Sequence, residues 1–191
     1  MSRYSIEPAT LADVPLLNQL IAASVRKLNT PEYSSQQIES ALTYVYGIDS
    51  QLVEDGTYYV AVADGRLVGC GGWSKRKTLF GGDQAKIVPD DEIFLNPLTD
   101  AAKIRAFFVH PQFARQGIGR ALMRAAETAA YQAGFYKLEL MATLTGKPLY
   151  AASGFEVIER IDYPMPDGIV FPVERMMKLI EPLAVETAVL A

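Results

Sequence analysis

The 191-residue sequence contains a single cysteine, Cys70, and a single histidine, His110. One cysteine cannot form an intrachain disulfide. These two residues also fall short of the ligands that a zinc site of histidine and cysteine needs, so we expect no metal site. A serine or cysteine catalytic triad would have to use His110, which has no obvious partner nearby in the sequence.

Excess positive charge and long hydrophobic runs are also missing. The sequence has 18 Lys and Arg against 22 Asp and Glu, a net charge of −4. General nucleic-acid-binding proteins carry a basic excess, so we expect no nucleic-acid partner. No run of about 18 apolar residues is present, and the first residues lack the apolar core of a signal peptide. We therefore expect no membrane association and a cytoplasmic protein.

The composition is that of a globular chain, with 50% hydrophobic and 21% charged residues. A chain of this length can bury about 70% of its unfolded surface, enough for a core without disulfides or metals. No linker divides it, so we expect a single domain over residues 1–180 and a C-terminal tail over residues 181–191. The tail includes Leu183, Val185, Val189 and Leu190. These apolar side chains can pack on a second copy of the chain, so a homodimer stays an open alternative.

Runs of β-forming residues alternate with stretches of helical periodicity. A strand, a helix and a second strand follow one another between residues 104 and 142, an order that predicts a parallel pair with a right-handed crossover. The stretch from Lys75 to Asp100 is irregular, and loops of that length are usually functional or mobile. The other predictions are a first strand over 3–7, helices over 10–27 and 34–44, a hairpin around Asp64-Gly65, a short helix over 148–152, and two antiparallel strands over 155–161 and 170–179.

The segment from Val109 to Leu122 reads VHPQFARQGIGRAL and carries the clearest chemical signal. A strand ends, a basic and glycine-containing loop follows, and a helix begins. Unpaired N–H groups and the partial positive charge at a helix N-terminus form a cradle for an anion such as a pyrophosphate. A Rossmann fingerprint would need glycine in place of Leu122, and a Walker loop would need Gly-Lys-Ser/Thr. A tight turn that binds nothing is the remaining alternative.

Two motifs together resemble those of the GNAT N-acetyltransferase superfamily. Residues 115–120 (RQGIGR) fit its acetyl-CoA signature, and residues 148–155 (PLYAASGF) resemble its Leu-Tyr-x-x-x-Gly-Phe segment. The resemblance implies an α/β fold, a GNAT-like acyl-CoA N-acyltransferase with a central mixed sheet and helices on both faces. It also implies an enzyme that uses acetyl-CoA as co-substrate.

The activity implied by the resemblance is direct transfer of the acetyl group to a primary amine in a ternary complex. We favour a small-molecule amine over a protein, because no extended peptide groove can be read from the sequence. Two alternatives stay open: a protein N-acetyltransferase, and a non-catalytic acyl-CoA-binding or sensory domain of the same fold.

The resemblance also implies roles for individual residues. Tyr150 matches the family tyrosine that faces the thioester sulfur, so we expect it to act as the general acid. The strand before the cradle is expected to splay from its parallel neighbour and to hold the pantetheine arm through its backbone. The cofactor-binding residues expected on this basis are Phe108, Val109, Arg115, Gln116, Gly117, Ile118, Gly119 and Arg120.

The general base is not identified by the sequence, because residues 104–109 contain no carboxylate. His110 is interpreted as structural. Many family members carry an asparagine near the cofactor where residues 142–145 here read ATLT, and Thr145 is expected to cap the following helix. The candidate bases are Glu92, Asp100, Asp162, Asp167 and Glu174.

The acceptor site is expected opposite the cofactor, among the first two helices, the 75–100 stretch and the final hairpin. Arg105 is unusual, since a strand covered on both faces should be apolar. It either pairs with a carboxylate or faces the substrate. Acidic residues at 90–92 and 162–167 suit either a cationic amine or solubility. Five residues are candidates to line this site: Asn29, Tyr33, Trp73, Arg76 and Asp83.

Overall fold

A computed structural model describes residues 4–85 and 94–180 of the chain. The helices in these ranges are α1 (Val14–Leu28), α2 (Ser35–Tyr44), α3 (Ser50–Glu54), α4 (Ile118–Gln132) and α5 (Lys147–Ala151). The strands are β1 (Ser5–Pro8), β2 (Tyr58–Ala63), β3 (Arg66–Ser74), β4 (Ala102–Val109), β5 (Lys137–Thr143), β6 (Glu156–Pro164) and β7 (Val170–Leu179). The tail over 181–191 lies outside the described residues, so its separation from the domain stays a prediction.

The seven strands form one mixed sheet in the order β1-β2-β3-β4-β5-β7-β6. The pair β4 and β5 is parallel, joined through α4, as the strand–helix–strand order predicted. The other neighbouring pairs are antiparallel. The sequence correctly predicted that the last two strands pair with each other. It did not predict that β7 inserts between β5 and β6.

Local sequence explains several element boundaries. Asp64 and Gly65 have φ angles of 48° and 72°, the left-handed pair that a two-residue hairpin turn requires, and they join β2 to β3. The Ser34 hydroxyl accepts the N–H of Gln37 at 3.3 Å and starts α2. Helix α3 was not predicted, since five residues carry too little periodicity. The Asp49 carboxylate caps it by accepting the N–H of Gln51 at 3.2 Å.

Helices cover both faces of the sheet, as expected. On one face, side chains of α1, α2 and α3 pack on β2, β3 and β7 in a cluster that includes Leu17, Ile21, Leu52 and Tyr58. On the other face, α4 and α5 pack on β4 and β5 through residues such as Met123 and Leu138. None of the helices in the described ranges combines the length and apolar character needed to span a membrane.

Cys70 lies in β3 within the first of these clusters and is fully buried. Burial raises the pKa of its thiol to about 12, so the reactive thiolate is scarce at neutral pH. We expect the folded protein to be inert to Ellman's reagent at pH 8. The unfolded chain in guanidinium chloride should release one equivalent of the coloured product, and fast labelling of the native protein would contradict this burial.

Candidate active site

An irregularity in β4 opens the centre of the sheet. The register between β4 and β5 consists of two pairs, Ala102 with Leu138 and Lys103 with Glu139. Further along β4 its pairing with β3 shifts register, and Ala106 adopts a left-handed φ of 55°. The Tyr58 hydroxyl donates a hydrogen bond to the Ala106 carbonyl at 2.9 Å. A β-bulge of this kind bends the strand, so β4 diverges from β5 as the resemblance implied.

The N-terminus of α4 follows directly on the divergent end of β4. Gly117 precedes the helix with a φ of 85° and has no side chain to cap it. The first helical bond runs from the Ala121 N–H to the Gly117 carbonyl at 3.0 Å. The N–H groups of Ile118, Gly119 and Arg120 therefore have no acceptor within the helix, and they share its partial positive charge. This arrangement can hold an anion.

A cavity of about 630 Å³ extends from this helix N-terminus through the gap between β4 and β5. Phe107 and Val109 pack toward the α4 face of the sheet, whereas Ala106 and Phe108 pack toward the α1 face. Because all four residues line the same cavity, the cavity crosses the sheet. Its volume lies within the range of about 300–1,000 Å³ that is usual for small-molecule sites.

Tyr150 lies in α5 beside the gap and is 9% exposed. Its ring makes edge contacts with Phe107 and Phe155, at centroid distances of 6.4 and 6.1 Å. Burial raises the pKa of the phenol above its ordinary value, so the group is protonated at neutral pH. No hydrogen-bond acceptor for the hydroxyl occurs among residues 4–85 and 94–180, and the side chain lines the cavity. The hydroxyl is therefore a donor available to a ligand.

A family model described as "Acetyltransferase (GNAT) family" matches residues 22–155. The chain belongs to the GNAT acetyltransferase family. Both sequence motifs fall inside the match, and the resemblance drawn from them is confirmed. GNAT acetyltransferases use acetyl-CoA, so acetyl-CoA is the acyl donor of this enzyme. A comparison with curated proteins gave no significant match.

Solved structures of GNAT proteins share the fold. A GCN5-related N-acetyltransferase from Rhodopseudomonas palustris superposes with a TM-score of 0.70 at 19% identity, over 94% of this chain and 98% of that one. The PaiA N-acetyltransferase of Thermoplasma acidophilum, in complex with coenzyme A, gives 0.60 at 18% identity, over 92% and 98%. A ribosomal-protein-alanine N-acetyltransferase from Brucella melitensis gives 0.61 at 19% identity, over 92% and 99%.

The structure brings together most residues that the GNAT motifs singled out. Gln116 lies outside the cavity lining, and its side-chain amide instead donates to the Gln112 carbonyl at 3.2 Å. The Ile118 side chain is buried under β3, so only its backbone faces the anion site. The predicted residues that line the cavity are Phe108, Val109, Arg115, Gly117, Ile118, Gly119, Arg120 and Tyr150.

The candidate bases do not line the cavity of this GNAT enzyme, so far as they are described. Glu92 lies outside the described residues. In residues 4–85 and 94–180, no Asp or Glu belongs to the lining. Asp100 accepts the Asn96 N–H at 2.7 Å, and the carboxylate of Glu174 lies 2.9 Å from the Lys147 ammonium. Asp162 and Asp167 belong to β6 and the turn after it and also lie outside the lining.

His110 and Thr145 differ in how they match the expectations. The His110 Nδ1 accepts the Gln112 N–H at 3.3 Å at the start of a short 3₁₀ turn over 111–113, which supports the structural interpretation. The prediction that Thr145 caps α5 is wrong. The N-cap of α5 is Gly146 and the helix has no side-chain cap, while the Thr143 hydroxyl accepts the N–H of Gly146 itself at 2.9 Å. The Thr145 hydroxyl is buried at the cavity and has no hydrogen-bond partner in the described ranges.

Of the five candidates for the acceptor side, the structure places Asn29 in the cavity lining. The sequence did not single out its neighbours Ser24 and Tyr46, which also line the cavity. The other four candidates contact the core or adjacent loops: Tyr33 stacks on Phe171, Trp73 packs on Phe135, Arg76 pairs with Asp55, and Asp83 accepts a hydrogen bond from Ser50.

Arg105 pairs with a carboxylate, one of the two alternatives that the sequence left open, and it also lines the cavity. Its Nη2 lies 2.8 Å from Asp49 Oδ2, and the two side chains are 2% and 4% exposed. The guanidinium also donates to the carbonyls of Thr78 and Gly81, at 2.8 and 2.6 Å. Arg105 thereby ties the 78–81 segment, part of the cavity wall, to β4. An arginine in an apolar strand indicates that a buried carboxylate pairs with it. The sequence does not indicate which carboxylate that is.

Proposed function

We propose that this GNAT enzyme transfers the acetyl group of acetyl-CoA to the primary amine of a small molecule by direct attack in a ternary complex. The observation that carries the proposal is the single cavity that crosses the sheet. It joins a helix N-terminus whose free N–H groups suit an anion, on one face, to the space beside α1 on the other. Donor and acceptor can therefore meet in the gap between β4 and β5 without an acyl-enzyme.

The donor end would be held largely by backbone groups. The N–H groups from Gly117 to Arg120 point out of the first turn of α4 and suit a pyrophosphate. The side chains of Arg115 and Arg120 add positive charge beside them. Backbone groups of β4 beyond Lys103 have no β5 partner in the register, so they can bind the amide groups of a pantetheine arm.

The reaction requires a neutral amine, stabilisation of the charge that develops on oxygen, and a proton for the leaving sulfur. The C–N bond forms as the C–S bond breaks. Tyr150 gives its phenolic proton to the departing sulfur, the amine nitrogen loses a proton to water, and water returns that proton to the Tyr150 phenolate, so the products are the N-acetylated amine and CoA. Because no described carboxylate lines the cavity, water is the proton acceptor that fits the described residues.

The experiment that tests the proposal is a thiol-release assay with acetyl-CoA and a panel of amines. The panel comprises 2-phenylethylamine, tyramine, spermidine and a peptide that begins with alanine. We expect amine-dependent release of CoA and acetylation of a small amine in preference to the peptide. Release no faster than spontaneous hydrolysis with every amine would reject the proposal, and preference for the peptide would assign a protein acceptor instead.

A matched pair of arginines tests the anion site. Arg120 lines the cavity, whereas Arg124, one helical turn later, does not. We expect Arg120→Ala to weaken CoA binding about fivefold, since an exposed charge contact contributes up to about 1 kcal/mol. Arg124→Ala should leave the Kd for CoA within twofold of the wild-type value. Isothermal titration calorimetry at low salt measures both, and equal effects would place the phosphates elsewhere.

A further inference from the structure

The α1 side of the cavity forms a chamber with mostly apolar walls. We define this acceptor chamber by the side chains of Ser24, Val25, Leu28, Asn29, Val45, Tyr46, Leu79 and Phe80, all of which line the cavity. Aliphatic and aromatic walls of this kind release free energy when they bury an apolar ligand surface. Such walls provide no comparable gain in binding free energy to a strongly hydrated ion.

Two buried polar side chains of the chamber, and the hydroxyl of the partly buried Tyr46, have no hydrogen-bond partner among residues 4–85 and 94–180. Ser24 is 4% and Asn29 is 7% exposed. In the part of the chain that the structure describes, neither the Ser24 hydroxyl nor the Asn29 side-chain amide makes a hydrogen bond to protein. Neither side chain is among those whose polar atoms are fully buried without a partner, so water or a ligand can reach both groups from the cavity. Both groups line the cavity, so a ligand can supply the missing hydrogen bonds.

The charges near the chamber do not favour a polycation. Among residues 4–85 and 94–180, its walls include no Asp or Glu, and Arg105, which lines the same cavity, is paired with Asp49. A second ammonium group placed here would lose its hydration and would meet no carboxylate in the described part of the walls. The hydrogen-bonding side chains of the chamber, those of Ser24, Asn29 and Tyr46, are uncharged at neutral pH.

We propose that the acceptor is an amine on an uncharged, largely apolar body that carries a polar substituent, and that Asn29, with Ser24, recognises this substituent by hydrogen bonding. This inference rests on the proposed function, since it describes the acceptor of the same cavity. Asn29 is then a specificity-determining residue. The donor side of the cavity plays no part in this choice.

The test compares tyramine, 2-phenylethylamine and spermidine with the wild-type enzyme and with Asn29→Leu. Tyramine and 2-phenylethylamine differ by one hydroxyl group, and spermidine carries several charges. We expect the wild-type kcat/KM to be highest for tyramine and at least tenfold lower for spermidine than for either aromatic amine. Asn29→Leu should reduce the preference for tyramine over 2-phenylethylamine about tenfold, while the KM for acetyl-CoA stays within twofold.

Equilibrium binding separates this inference from the proposed function. N-acetyltyramine is titrated into enzyme saturated with CoA, and its Kd is expected to rise at least fivefold in Asn29→Leu. Gln36→Leu removes an exposed amide from α2 and serves as the control, with no change expected. If the enzyme showed no turnover but bound N-acetyltyramine through Asn29 as expected, the proposed transferase function would be rejected. The inference that Asn29 recognises the ligand in the acceptor chamber would still stand. Preference for spermidine, or equal Kd values in wild type and Asn29→Leu, would overturn the inference.

Discussion

Replacement of Tyr150 by phenylalanine is expected to lower kcat by about 100- to 10,000-fold, the usual contribution of a positioned proton donor. The phenylalanine ring can keep the edge contacts with Phe107 and Phe155, so the fold should be undisturbed. The hydroxyl has no protein acceptor in the described ranges, and its removal leaves no buried group unpaired. The loss should therefore appear in turnover, with the melting temperature and the Kd for CoA nearly unchanged.

The matched control is Tyr136→Phe, which removes a hydroxyl from a tyrosine that is 48% exposed. Its kcat should equal that of the wild type. The assay is thiol release at saturating acetyl-CoA with the best amine of the panel. If Tyr150→Phe turned over as fast as the wild type, Tyr150 would be a core tyrosine packed on Phe155 and the proton donor would have to be another group.

Replacement of Arg105 by alanine is expected to lower the free energy of unfolding by about 3–5 kcal/mol, the usual cost of breaking a buried ion pair. The buried Asp49 carboxylate would lose the Arg105 guanidinium, and the carbonyls of Thr78 and Gly81 would lose the Arg105 donors. The 78–81 segment would also lose its link to β4. Urea denaturation followed by circular dichroism measures the change.

The exposed pair of Arg26 and Glu39 supplies the control, since both side chains are 56% exposed although their atoms lie 2.8 Å apart. Arg26→Ala should cost no more than about 1 kcal/mol, because water replaces a surface salt bridge at little cost. A second variant, Arg105→Met combined with Asp49→Leu, removes both buried charges and should recover much of the loss. Equal small effects of Arg105→Ala and Arg26→Ala would contradict the buried-pair account.

Features encoded by neighbouring residues could be predicted from the sequence. The left-handed pair Asp64-Gly65, the Ser34 cap and the glycines at the start of α4 act within a few residues of the chain, so their patterns identify a hairpin and the starts of two helices. The two GNAT motifs are likewise continuous segments. Together they located the gap beside Tyr150 and identified acetyl-CoA as the donor.

Features that depend on distant segments could not be predicted. Asp49 and Arg105 are 56 positions apart, and the residues around either one do not indicate that it pairs with the other. The insertion of β7 between β5 and β6 depends on pairing between β5 and β7, which lie far apart in the sequence. The Thr145 assignment failed because α5 begins at Gly146 without a side-chain cap, and the Thr145 hydroxyl has no hydrogen-bond partner in the described ranges. The acceptor chamber combines α1, the end of α2 and the 79–80 segment, which only the folded chain brings together.

A crystal structure of the enzyme with bound CoA tests the central claim most directly. The account predicts that the pyrophosphate contacts the N–H groups between Gly117 and Arg120. It also predicts that the pantetheine arm lies in the gap between β4 and β5, with its sulfur within hydrogen-bond distance of the Tyr150 hydroxyl. A pyrophosphate bound away from the N-terminus of α4, or a sulfur that does not reach the gap, would contradict the account.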